Sequence, residues 1–114
     1  MTPKEERVHR PVKKTEYEIR FASLDAEKGW RDLNATLRNA LADSWDFLTR
    51  TPHERGPLNQ PMKAELALVT YRGENHSRWQ HKPVARGDAR IWFFIIDRVV
   101  YLEQVHTKKP NQTK

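Results

Sequence analysis

The stretch that most constrains this chain is residues 91–96, Ile-Trp-Phe-Phe-Ile-Ile, six apolar residues in a row bounded by Arg90 and Asp97. Successive side chains of a strand point to opposite faces, so a run without a polar position needs cover on both sides. It is too short to cross a bilayer, which takes roughly 18 residues. A central, covered strand over residues 89–96 is predicted, with residues 99–106 returning beside it after a turn at Asp97 and Arg98.

The remaining elements follow from spacing. Tyr17, Ile19 and Phe21 alternate with Glu18 and Arg20, the pattern of a half-buried strand over residues 17–21. Ser23 is a helix N-cap, with Asp25 and Glu27 placed where the helix dipole favours negative charge. Leu24, Trp30, Leu33, Leu37, Leu41, Trp45 and Leu48 then recur every three or four residues for most of the stretch, one face of a helix or helical hairpin. Asn34 is placed to end a first helix and cap a second running to about Arg50, and the tryptophans of this face are read as core. Thr51-Pro52 stops the helix and opens a loop containing Gly56, Pro57 and Pro61. Residues 65–70 read as a strand, 72–75 as a turn and 76–82 as a returning strand. The fold class is α+β: a helical hairpin packed on a small, curved, mainly antiparallel sheet.

Charge locates a partner. The chain carries 21 Lys/Arg against 15 Asp/Glu, and its excess lies in three places, with net +3 in each of residues 1–14, 72–90 and 108–114. That divides the chain into a basic, flexible N-terminal extension (1–14), one domain (15–107) and a basic C-terminal tail (108–114). A basic stretch within a folded domain, flanked by basic tails, is the electrostatic footprint of a polyanion such as nucleic acid. Eleven Trp, Tyr and Phe residues argue for a folded chain rather than a disordered one. With no cysteine, disulfides and thiolate chemistry are excluded, in keeping with a cytoplasmic protein. Residues 1–14 hold no hydrophobic segment of the secretory kind.

Strand alternation puts His76, Arg78, Gln80 and Lys82 on one face of residues 76–82 and Ser77, Trp79 and His81 on the other. The next strand adds Arg90 and the last adds His106, with Glu65 at the mouth of the first hairpin. Arg90 stands out, because a lone charge in an apolar strand is paired, exposed at a strand end or kept for function. Such a face meets the needs of phosphodiester cleavage: a base for the RNA 2′-hydroxyl, cations for the phosphate and an acid for the departing 5′-oxygen. Histidine and glutamate exchange protons, while arginine and lysine hold phosphate oxygens. No cofactor is called for, and the spacing of His76 and His81 forms no metal-ligand set.

In this order of elements the chain resembles the RelE/ParE superfamily of toxins from type II toxin-antitoxin modules, on the RelE/HigB/YoeB side. The resemblance covers about residues 16–110. It rests on Tyr17-Glu-Ile-Arg-Phe21, a helical hairpin with Trp30-Arg-Asp-Leu33, Pro61-Met-Lys-Ala-Glu-Leu66, Arg78-Trp79-Gln80, Ala89-Arg-Ile-Trp-Phe93 and a final strand ending Val105-His106. It implies a RelE-like fold and an mRNA interferase that cuts transcripts, commonly on the ribosome, and is neutralised by a cognate antitoxin of helix-turn-helix type. It further implies catalytic roles for Glu65, Arg78, Lys82, Arg90 and His106, with Glu65 or His106 as the proton-transfer group. RNA contacts are implied for His76, Gln80, Lys108 and Lys109. The longer stretch 72–86 and the missing terminal tyrosine depart from the family pattern; Trp79 or Trp92 replaces that tyrosine only if exposed. The alternatives are a ParE-like inhibitor of DNA gyrase and a toxin-like domain that binds RNA without cutting it.

Overall fold

The computed structural model describes residues 7–110. The first six residues of the basic extension and the last four of the tail lie outside the described residues. The order of elements is β1 (Glu18–Phe21), α1 (Leu24–Thr36), α2 (Arg38–Arg50), β2 (Asn59–Pro61), β3 (Leu68–Tyr71), β4 (Glu74–Ser77), β5 (Trp79–His81), β6 (Arg90–Ile96) and β7 (Val99–His106). Two helices pack on a mixed, mostly antiparallel sheet, the predicted α+β class. Among the described residues no helix is long and apolar enough to cross a membrane.

The five-stranded sheet runs β1-β7-β6-β5-β2, with β1 parallel to β7 and the other pairs antiparallel. The apolar run sits at its centre and is covered twice. Ile91 and Phe93 face the helices with Val100, Leu102 and Val105, packing with Ala26, Leu33, Leu41 and Leu48. Phe94 and Tyr101 face the other way and are covered by Val69 and Tyr71 of the separate β3–β4 hairpin. Phe93 and Phe94 are both fully buried, so neighbouring residues fill opposite cores.

Ser23 caps α1 as expected, its hydroxyl oxygen accepting the Ala26 N–H at 3.0 Å. The break between the helices falls at Leu37 rather than Asn34. Leu37 leaves helical geometry at φ −133° and ψ 46°, and α2 starts without a side-chain cap. Packing decides the position: Leu37 lies against the core between Leu33 and Leu41, whereas Asn34 is exposed within α1. Leu24, read as part of the apolar stripe, is also exposed, since the capping turn holds it outside the core. Trp30 packs on the core as expected, while Trp45 is half-buried beneath the Arg10 guanidinium, 5.6 Å from its ring.

Two readings of the middle segment are corrected. The strand expected over 65–70 begins later, because Ala64–Leu66 forms a single 3-10 turn with Ala64 at φ 56°. The strand expected over 76–82 is two strands, broken at Arg78. There the Arg78 N–H donates to the Ala67 carbonyl and its own carbonyl accepts the Met62 N–H, both at 2.8 Å. The interruption leaves β4 in the hairpin and passes β5 into the main sheet. Arg72 and Gly73, at φ 52° and 82°, make the β3–β4 turn, the left-handed pair that a two-residue hairpin requires.

Candidate functional site at the β5–β6–β7 face

On the sheet face away from the helices, the hairpin covers Phe94 and Tyr101, and a polar cluster gathers around Trp92. Its indole N–H donates to Gln80 Oε1 at 3.0 Å. The His106 ring meets it edge-on at 4.7 Å, and the Arg78 guanidinium lies 5.3 Å from its ring centre. Trp92 is 3% exposed, and Trp79 packs on the helix side, so neither is an exposed platform for a base. The expected alternation survives for Gln80, beside Trp92, against Trp79 and His81 on the helix side.

Arg78 is not free. Its Nε and Nη2 donate to the two carboxylate oxygens of Glu103 at 2.8 and 2.7 Å, with both side chains largely buried. Its Nη1 donates to the Leu66 carbonyl at 3.3 Å. Glu103 reaches this position through a β-bulge: Trp92 pairs with Gln104 and Phe93 with Leu102, leaving Glu103 as the extra residue. Sequence reasoning passed over Glu103, although the criterion that singled out Arg90, a charge inside an apolar strand, applies to it as well.

Arg90 and His106 are directly opposite one another at the end of β6 and β7. Arg90 is 6% exposed; its Nη1 donates to the Gly87 and Ala89 carbonyls at 2.8 and 2.9 Å, and its buried Nε has no hydrogen-bond partner. His106 is half-buried with its Nε2 likewise unpartnered. Burial pushes its pKa below the ordinary histidine value, opposed by the nearby Glu103 carboxylate. The ring is therefore neutral near pH 7 and able to accept a proton. His106 also lines a cleft of about 440 Å³ with Ser23, Asp25, Glu103, Gln104 and Val105.

The other expected residues lie around or apart from this cluster. Lys82 is partly exposed beside Gln80, both lining a depression of about 200 Å³ with Gln60. Glu65 is exposed on the 3-10 turn, and it is the carbonyl of its neighbour Leu66 that meets Arg78. His76 is separated from Arg78 by the strand break; it belongs to the hairpin and stacks on Phe94 at 5.4 Å. Lys108 and Lys109 are exposed beyond β7. Among the described residues, no three His, Asp or Glu side chains gather as a metal-ligand set.

A second polar pair lies on the helix side. His81 Nε2 is 3.1 Å from Ser44 Oγ, and the ring stacks on Phe47 at 5.1 Å. Burial pushes the His81 pKa down to about 4. Beside it a mostly apolar cavity of about 320 Å³ opens between α2 and the loop before β2.

Searches of protein-family models, curated proteins and solved structures find no match to the chain.

Proposed function

We propose that this protein is a metal-independent endoribonuclease, the toxin of a type II toxin-antitoxin module, which inhibits translation by cutting mRNA on the ribosome in the cytoplasm. The observation that carries the reading is the placement of His106, neutral and with a buried ring nitrogen that has no hydrogen-bond partner, directly across the strand pair from the buried charge of Arg90. His106 takes the proton of an RNA 2′-hydroxyl. The 2′-oxygen attacks the adjacent phosphorus, the bond to the 5′-oxygen breaks, and the departing oxygen takes a proton from water, whose hydroxide recovers the proton held by His106, leaving a 2′,3′-cyclic phosphate and a 5′-hydroxyl. Arg90 supplies a fixed positive charge in a low-dielectric setting, where its field on the phosphate is strong. Lys82, partly exposed, offers a mobile point charge for a neighbouring phosphate. Glu65 lies on the turn bordering Arg78, and is the second candidate for proton transfer. The same reading supplies a cognate antitoxin as partner.

Purified protein added to ribosomes programmed with a defined mRNA is expected to give breaks within codons, in the presence of EDTA, and His106→Ala and Arg90→Ala are expected to lose them. Salt-sensitive RNA binding without breaks would instead leave a non-catalytic RNA-binding domain. DNA damage signalling on expression, with transcripts intact, would point to gyrase inhibition.

A further inference from the structure

We infer that Glu103 holds the place of an RNA phosphate on Arg78, and that a bound phosphodiester takes over the guanidinium fork while the carboxylate swings into the cleft beside it. This rests on the ribonuclease reading and adds to it the residue that controls access to its phosphate site.

Arginine grips carboxylates and phosphates with the same two parallel N–H bonds. In the free protein that fork is filled by both oxygens of Glu103. Two contacts besides Glu103 hold the guanidinium: it rests over Trp92, and Nη1 donates to the Leu66 carbonyl at 3.3 Å. If the carboxylate leaves, Arg78 stays aimed at the same point. The Glu103 backbone is pinned in turn, its carbonyl accepting the Ser23 hydroxyl at 2.9 Å, so the exchange needs only side-chain rotation.

Room for that rotation exists. Glu103 forms part of the wall of the 440 Å³ cleft shared with His106 and Gln104, and Gln104 Nε2 already approaches its Oε2 at 3.4 Å. Asp25 rather than a cation lines that cleft, so the carboxylate rests on Arg78 until an anion competes for the guanidinium. A phosphate in the fork would face Glu103 as a second anion and expel it. No bond is made or broken in the exchange.

Binding of a non-cleavable 2′-O-methyl oligoribonucleotide, measured over a range of salt, tests this in wild type, Glu103→Gln, Arg78→Ala and the double variant. Glu103→Gln is expected to bind roughly tenfold tighter, the gain of a charge-assisted contact freed from an internal rival. Its salt slope should match wild type, whereas Arg78→Ala should lower the slope by about 0.7, one phosphate contact on a single strand. In the Arg78→Ala background Glu103→Gln should bring no gain. Binding that is no tighter in Glu103→Gln, with a slope untouched by Arg78→Ala, makes the pair a purely structural clamp and overturns the inference while leaving the ribonuclease reading intact. No binding by any form, wild type included, takes down the ribonuclease reading too. Should Glu103→Gln fail to fold, the Arg78 side-chain Nε–H resonance of wild type decides: it must shift as the oligonucleotide is added, and a stationary signal at saturation overturns the exchange.

Discussion

Gly29 of α1 presses against the backbone of Val105 in β7 so closely that a Cβ on it would stand 2.1 Å from the Val105 carbonyl oxygen. No side chain fits there without parting helix and sheet. Gly29→Ala is therefore expected to destabilise the fold despite alanine's better helix propensity. Overpacking costs about 1–3 kcal/mol, and the propensity gain of about 0.5–1 kcal/mol offsets only part of it. Chemical denaturation should show a net loss on the order of 1–2 kcal/mol, and a variant as stable as wild type would contradict the contact. Because Val105 precedes His106, cleavage should weaken along with it.

The proton transfer proposed for His106 predicts a defined pH signature. Burial lowers its pKa, so the proton-accepting form persists to more acidic pH than in an exposed histidine. The single-turnover rate on programmed ribosomes should be flat near pH 7 and fall only below the ordinary histidine value of about 6.5. His106→Ala should lose about 10²–10⁴ of the rate, the usual contribution of one general acid-base group. A limb centred at or above that ordinary value would assign the proton transfer elsewhere.

His81 sets an acid limit on stability. Its folded pKa of about 4 lies below the unfolded value, so the unfolded state takes up a proton first as pH falls. Its contribution is present above pH 6.5 and is lost between about 6.5 and 4. The shift corresponds to roughly 3 kcal/mol. Urea titrations of wild type should show this decline, and His81→Phe should flatten most of it. The slope left over belongs to His106, which is shifted in the same direction. An unchanged slope in His81→Phe would place the acid sensitivity in other groups.

Arg10 ties the basic extension to the domain. It forms a two-pronged pair with Glu16 at 2.7 and 3.1 Å and lies over Trp45, while Glu16 also accepts the Lys13 N–H at 2.8 Å. These contacts hold the Glu16 pKa down to about 2, so its contribution is present above about 4.5 and is lost as pH falls towards 2. Arg10→Ala should speed tryptic cutting after Lys13 and Lys14 severalfold and also lower the midpoint of thermal unfolding, since it leaves the buried Glu16 carboxylate without its cation. Equal cutting rates would show that the other contacts are enough to hold the segment.

The centre of this fold was legible because residues 91–96 admit few solutions: an all-apolar run of strand length demands two covering layers, and the helices and the hairpin supply them. The helices were legible for a similar reason, their apolar spacing, although the break moved to Leu37 because core packing outweighed the local capping preference of Asn34. β2 was not legible. Asn59-Gln-Pro61 has no strand pattern and pairs only because its loop is anchored, Asn59 Nδ2 donating to the Pro52 and Glu54 carbonyls at 3.0 Å. The interruption at Arg78 was hidden too, since it depends on backbone bonds to Met62 and Ala67 rather than on local alternation. Within the candidate site, Arg90 announced itself by its surroundings, and its closeness to His106 followed from the hairpin. The occupation of Arg78 by Glu103 depends on a one-residue bulge, which residue spacing does not reveal.

The parallel pairing of β1 with β7 has a consequence for how the protein is made. Glu18 is matched to Val99 and Phe21 to Leu102, and β7 lies between β1 and β6. While the chain is being synthesised, β1 and the apolar face of α1 have no sheet to join until residues 99–106 have emerged. Such sequence-distant pairing carries a loop-closure cost and slows folding. Both halves of the Arg90–His106 pair are likewise assembled only at that late stage. A nascent chain therefore holds no paired Arg90 and His106 until residues 99–106 have emerged, and the site proposed above takes shape only when β7 has joined β6 and β1.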